Sequence, residues 1–189
     1  MKTLVYIRNL LADRYVASIT PSSRYVVERI CGKINFNGKS LIVEYGPGLG
    51  AFTSRLLRDM SPESRLIAIE RNPEFHRLLR GIFADPRLLL HLGCAGGVLD
   101  ILRGIDGEKA DYIVSGIPFS LLGESKRVDI IRNTHAALKD GGVFLAYQTF
   151  YQPDRHLKAL LEDIFPVVNT ELVLPCIPPL NIIEAKKQA

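Results

Sequence analysis

Apolar positions follow two alternating rhythms along this chain. The runs "SLIVEY" (40–45), "RLIAIE" (65–70), "RLLLHL" (87–92), "ADYIVS" (110–115) and "GVFLAYQT" (142–149) are short and largely apolar, the pattern of strands covered on both faces. Between them, apolar residues recur at spacings of three and four, which predicts helices over 51–60, 73–83, 97–103, 124–138 and 153–164. Upstream, 4–18 and 22–32 read as helices. The second is opened by "TPSS", with Ser or Thr as cap and Pro near the first turn. The stretch 167–186 reads as two strands broken at "PCIPP". Strands alternating with helices specify an α/β fold, a mostly parallel seven-stranded sheet with helices on both faces. The last two strands have no helix between them, so an antiparallel hairpin is expected at the C-terminal edge. With no linker or repeat, residues 1–189 read as one domain, a helical arm over 1–35 and a core over 36–189.

The first strand runs into "VEYGPGLGAF", which places Gly46, Gly48 and Gly50 in a turn before a helix. Glycine loses the most freedom on folding, so three alternate glycines point to a tight turn or to a backbone that comes close to something else. Strand, glycine turn and helix open a nucleotide-binding unit. The pattern here is E-x-G-P-G-x-G, not the G-x-G-x-x-G of dinucleotide sites. Glu44 ends the first strand, and Glu70 ends the second, 20 residues beyond Gly50. An acid at the second position accepts hydrogen bonds from both ribose hydroxyls. A phosphate site uses the helix N-terminus for anionic oxygens. An acid beside the glycines instead favours a cationic ligand without phosphates. S-adenosylmethionine, with a sulfonium, an ammonium and a ribose, is such a ligand.

"VEYGPGLGAFTSRLL", "LIAIERNPEF" and "ADYIVSGIPF" resemble, in order and spacing, the successive motifs of Rossmann-like S-adenosylmethionine-dependent methyltransferases. With "ITPSSRYV", "YQTFY" and "PCIPPLNIIEAKK", the chain looks most like bacterial phospholipid N-methyltransferases, relatives of the ribosomal RNA adenine dimethylases. The resemblance covers about residues 15–186 and implies a Rossmann-like methyltransferase fold with S-adenosylmethionine as cofactor. It assigns cofactor binding to Glu44, Tyr45, Gly46, Gly48, Gly50, Glu70, Arg71, Cys94, Ala95 and Ser115. Substrate contacts fall to Gly116, Ile117, Pro118, Phe119, Tyr147 and Tyr151, whose rings would line a cationic headgroup. Ser115, Tyr147 and Tyr151 are the candidates for catalysis; no general base is identified. Phe150 is expected in the core.

Two positions depart from the pattern. The group usually has Gly-Asp-Ala after the third strand, the acid accepting from the adenine amino group; this chain has Cys94 there, and a thiol is a weak acceptor. Adenine is then held by backbone and by apolar packing, with Ile69 and Leu92 as candidates. Adenine dimethylases also place an Asn after the fourth strand to read a flipped base. Gly116 stands at that position in "SGIPF". The chain also ends without the helical RNA-contacting segment of those enzymes. Both features point toward a lipid amine and away from RNA. Methylation of nucleic acid, and cofactor binding without activity, stay open as alternatives.

Charge adds a location. Residues 1–40 hold seven Lys/Arg against Asp13 and Glu28, while the remainder is nearly balanced, so the overall +4 resides in the N-terminal arm. Leu4, Ile7, Leu11 and Tyr15 share one face of the expected first helix, flanked by Arg8 and Arg14. Two uses of that face stand open: docking on an anionic membrane surface, or packing on the domain as a lid over the cofactor. Arg8, Asp13 and Arg14 interrupt any signal-peptide pattern, and no apolar run is long enough to span a bilayer. Cys31, Cys94 and Cys176 are scattered, as are the four histidines, so no metal site is expected. The expected setting is cytoplasmic, peripheral on the inner membrane face.

Overall fold

The computed structural model describes residues 24–105, 107–149, 155–174 and 179–189. The helix expected over 4–18, the "TPSS" cap, Phe150, Tyr151 and Cys176 lie outside the described residues.

The elements run α1 (Arg24–Cys31), β1 (Leu41–Tyr45), α2 (Ala51–Asp59), β2 (Arg65–Glu70), α3 (Pro73–Ile82), β3 (Leu88–Leu92), α4 (Val98–Arg103), β4 (Ala110–Ser115), α5 (Glu124–Ala137), β5 (Leu138–Thr149), α6 (Arg155–Ile164), β6 (Val167–Val173) and β7 (Leu180–Lys186). They form a seven-stranded sheet in the order β3-β2-β1-β4-β5-β7-β6. The first five strands are parallel, and β7 runs antiparallel to both β5 and β6. The expected mostly parallel sheet and C-terminal hairpin are therefore both present. The hairpin folds inward, so that its second strand, β7, pairs with β5 and leaves β6 at the edge.

Alternation along the strands divides the core in two. Leu41, Val43 and Tyr45 of β1 face a cluster closed by Val98 and Leu102 of α4, Ile130 and Ile131 of α5, and Leu157 and Leu161 of α6. Ile42 faces the other cluster, closed by Val26, Val27 and Ile30 of α1 and by Phe52, Leu56 and Leu57 of α2. Helix α1 thus belongs to the sheet's covering layer. Lys33 just after it bridges Glu184 of β7 and Glu171 of β6, and Arg29 also pairs with Glu171. Both central strands are covered on each face, as their continuous apolar runs require.

The strand order reverses between β1 and β4: β2 and β3 follow to one side, β4 and β5 to the other. Ligands of open α/β sheets sit outside the carboxyl ends of the strands at such a switch point. No helix among the described residues is long and apolar enough to cross a membrane.

Candidate functional site

A cleft of about 250 Å³ opens at that switch point. Its walls come from the segments that leave β1, β2, β3 and β4: Gly46; Ile69 to Pro73; Gly93 to Ala95; and Gly116 to Pro118. Phe75 of α3 and Leu122, Lys126 and Ile130 around α5 complete it.

Backbone hydrogen bonds hold these segments together at the floor. Gly46 N–H donates to Ile69 O (2.9 Å), Gly116 N–H to Tyr45 O (3.0 Å), and Gly93 N–H to Glu70 O (2.9 Å). Each strand is thereby stitched to its neighbour one residue past its end. The glycine turn has positive φ at Gly46, Gly48 and Gly50 (67°, 55° and 79°), a region L side chains rarely adopt. At Gly46 a Cβ would also stand 2.9 Å from Ile117 Cγ2. A bare backbone there lets the β1 and β4 ends close on each other and leaves the floor of the cleft open to a ligand.

Glu70 is the buried acid of the cleft, 6% exposed. Its Oε2 accepts from Gly48 N–H (3.1 Å) and its Oε1 from Asn72 N–H (2.7 Å). One carboxylate so ties the glycine turn to the start of α3. A carboxylate has about four acceptor sites, and these two backbone N–H groups take up one on each oxygen. Asn72 in turn caps α3, its Oδ1 accepting from Glu74 and Phe75 N–H, with Pro73 at the first helical turn.

Glu44 lies elsewhere. It points to the α2 side of the sheet, 2% exposed, and accepts from Thr53 Oγ1–H at 2.7 Å. Burial is the main cause of a pKa pushed up to about 7, with a smaller contribution from the Glu70 charge. Tyr45 is also fully buried, its hydroxyl 3.2 Å from Thr134 Oγ1. Both support the cleft from below and do not line it. Gly48 and Gly50 are buried in the turn.

Of the residues expected to touch cofactor, the cleft brings together Gly46, Glu70, Arg71, Cys94 and Ala95; Ile69 joins them as an apolar wall. Leu92 does not: it is half-exposed on β3, an edge strand. Ser115 is fully buried, its Oγ accepting from Ile117 N–H at 3.4 Å, so the side chain braces the turn after β4. Of the residues expected to touch substrate, Gly116, Ile117 and Pro118 line the cleft. Phe119 is turned away. It is fully buried against Phe144, edge to face at 6.3 Å, because the short 3-10 turn at 119–121 points its ring into the α5 side of the core. Tyr147 stacks on Phe52 at 5.3 Å, and its hydroxyl reaches the space beside Gly116.

Sequence reasoning missed Asn72, Pro73, Phe75, Gly93, Leu122, Lys126 and Ile130. "NP" after the β2 acid is a readable helix start. Lys126 and Ile130, four apart, share one helical face, but which face of α5 meets the cleft depends on its packing. Among the described residues no cluster of three or more His, Cys, Asp or Glu stands where a metal could be held.

No family model matches the chain. It is 30% identical over 145 residues to the ornithine lipid N-methyltransferase of Singulisphaera acidiphila, which covers 72% of this chain and 76% of that protein. The chain belongs to the S-adenosylmethionine-dependent methyltransferases. Ribosomal RNA small subunit methyltransferase A of Parasynechococcus marenigrum is 36% identical over 100 residues, 52% of this chain but 32% of that protein. Two solved methyltransferases share the fold. The precorrin-6y C5,15-methyltransferase of Geobacter metallireducens has a TM-score of 0.69 at 20% identity, over 90% of this chain and 92% of that one. The 1,6-didemethyltoxoflavin-N1-methyltransferase of Burkholderia thailandensis, solved with S-adenosylhomocysteine, has a TM-score of 0.68 at 15% identity, over 100% and 90%. The methyltransferase cofactor fits this cleft on its own terms. A buried carboxylate ends β2, Gly46 leaves the floor bare, and Ile69, Ala95 and Ile130 form apolar walls for a flat ring.

Proposed function

We propose that this protein N-methylates the amine headgroup of a lipid, working as one domain whose N-terminal arm meets an anionic membrane surface. The observation that carries the reading is the similarity to an ornithine lipid N-methyltransferase across most of both chains. The site's composition supports it. Glu70 would accept from the ribose hydroxyls, Gly46 would leave room for the methionine portion, and Ile69, Cys94 and Ala95 would enclose adenine. When bound, S-adenosylmethionine supplies an electrophilic methyl: an amine lone pair forms the N–C bond as the C–S bond breaks toward sulfur, and the surplus N–H proton passes to water. The chain's task is alignment, which in the best intramolecular cases is worth roughly 7–11 kcal/mol.

The edge of the sheet on which the cleft opens also carries exposed leucines. Leu49 follows β1, Leu121 follows β4, and Leu174 follows β6, which runs parallel to β5. Such residues are unremarkable singly. Carried on the same sheet edge as the cleft, they suit a substrate that arrives from a bilayer.

RNA methylation is the second reading, favoured by the higher local identity to the ribosomal RNA relative. A cofactor-binding protein without activity is the third, favoured by Cys94 in place of an acceptor. Purified protein given methyl-labelled S-adenosylmethionine with bacterial lipid extract, and separately with ribosomal RNA, decides among them. Label is expected in an amine-bearing lipid. Label in RNA alone would replace this reading with the second, and binding of the cofactor with no transfer would leave the third.

A further inference from the structure

Gly116 and Tyr147 contend for one space. A Cβ on residue 116 would stand 2.8 Å from Tyr147 Oη and 3.4 Å from its Cζ, the first distance shorter than real Cβ contacts allow. The phenol cannot easily yield. Its ring is stacked on Phe52, itself 5% exposed on α2, and its backbone is paired with Ile182 of β7. Gly46 O stands 3.4 Å from the same point. Gly116 and Gly46 both line the cleft. Tyr147 Oη therefore stands beside the Gly116 backbone, where any side chain of residue 116 would be, next to the cleft though not among the residues that line it. A ligand anchored at Glu70 and lying across Gly46 meets this corner next.

We propose that Tyr147 is the specificity-determining residue of the cleft. Its phenol oxygen, held by the Phe52 stack in the space that Gly116 leaves empty, accepts an N–H of the attacking amine and turns the nitrogen lone pair toward the methyl. This rests on the reading that the substrate is a lipid amine. A neutral phenol oxygen accepts a hydrogen bond without taking a proton, so Tyr147 positions the amine and is not its base. The preferred substrate class is then an amine that still carries an N–H. A neutral primary amine has two and a secondary amine one; the tertiary amine of an N,N-dimethylated headgroup has none. Tyr147 acts on the first two methyl additions and is silent in a third.

Tyr147→Phe removes the oxygen and keeps the ring on Phe52. The assay uses detergent micelles of phosphatidylethanolamine, its N-methyl and N,N-dimethyl forms, and an ornithine lipid. For whichever lipid class the parent methylates, Tyr147→Phe is expected to lower kcat/KM about tenfold on forms that bear an N–H. The rate on the dimethylated form and the affinity for S-adenosylmethionine should be unchanged. Equal slowing on all forms, or none, overturns the inference while leaving lipid methylation intact. If the parent methylates no lipid amine, the underlying reading fails and the inference falls with it. A second pair checks the geometry: Gly116→Ala should destabilise the fold, and adding Tyr147→Phe should recover most of the loss. A Gly116→Ala protein as stable as the parent would remove the steric premise.

Discussion

A carboxyl as deeply buried as Glu44 ionises only against the cost of desolvation, and that cost appears as a dependence of stability on pH. Its folded pKa is about 7, against an ordinary value of 4.5. The folded protein thus holds a proton that the unfolded chain releases. The stability so contributed is complete below about pH 4.5 and is lost as pH rises through about 7, a swing of roughly 3 kcal/mol at ~1.36 kcal/mol per unit. Glu44→Gln keeps an oxygen for Thr53 and has no charge to bury. Urea midpoints of that variant should stay flatter between pH 5 and 8 than the parent's and exceed them at pH 8. A parent-like slope would locate the titration elsewhere. Cys94 makes a different case. It lines the cleft and is partly exposed, at the residue before a 3-10 turn over 95–97. A carboxylate there faces the ligand and not the sheet. Cys94→Asp is therefore expected to fold and to bind S-adenosylmethionine about tenfold more tightly, the worth of one hydrogen bond to a charged group. Calorimetric titration of both proteins measures it; weaker binding by a well-folded variant would remove adenine from beside residue 94.

At the scale of elements, Arg87 shows how a strand start and a helix end depend on one side chain. It precedes β3 and donates to Leu57 O (2.6 Å) and Met60 O (3.0 Å) at the C-terminal end of α2, while Asp85 holds its guanidinium from behind at 2.7 Å. These are carbonyls that a helix cannot satisfy internally, and a cation there also suits the helix dipole. Arg87→Ala should cost about 2 kcal/mol, read as a lower urea midpoint at unchanged slope. Arg87→Lys should recover only part, since an ammonium lacks the planar fork. None of this was legible in "DPRLLL", though the strand itself was. The apolar runs placed β2 and β4 at their observed residues and most other ends within two. β5 is the exception, expected from 142 and beginning at Leu138. "KDGG" reads as a turn, yet Leu138 already pairs with Ala110. The ladder then shifts register between Ala110 and Tyr112, with Gly141 at φ 76° on the facing strand. The inward fold of the hairpin was not legible either, because strand order depends on contacts far apart in the chain.

For the molecule as a whole, the cleft was largely readable where it is made of strand ends, Gly93 and Asn72 excepted, and unreadable where it is made of helix faces. Gly46, Glu70, Cys94 and Gly116 each end or follow a strand at a position that the sheet's parallel order brings to one edge. Phe119 misled because a ring one turn beyond a strand has two directions open to it, and apolar volume under α5 drew it inward. The same edge sets the test for how the whole protein meets its substrate. Leu121, after β4, is 42% exposed and Leu174, after β6, is 67% exposed, on the same edge of the sheet as the cleft and on opposite sides of β5. Neither lines the cleft. If the edge rests on a bilayer, Leu121→Ser with Leu174→Ser should weaken sedimentation with vesicles containing anionic lipid. Burial of such side chains is worth roughly 1.5–3 kcal/mol each when complete, so a loss of about tenfold is expected at partial depth. That loss should persist at high salt, because it comes from apolar contact and not from charge. Affinity for S-adenosylmethionine should be unaltered. Replacing Arg8 and Arg14 by Glu should instead weaken binding most at low salt, by ~1 kcal/mol for each basic residue removed from an anionic surface. Vesicle binding that ignores the leucines but follows the arginines would assign the contact to the N-terminal arm alone. Lost cofactor affinity in the arginine variant would identify that arm as a lid over the cleft.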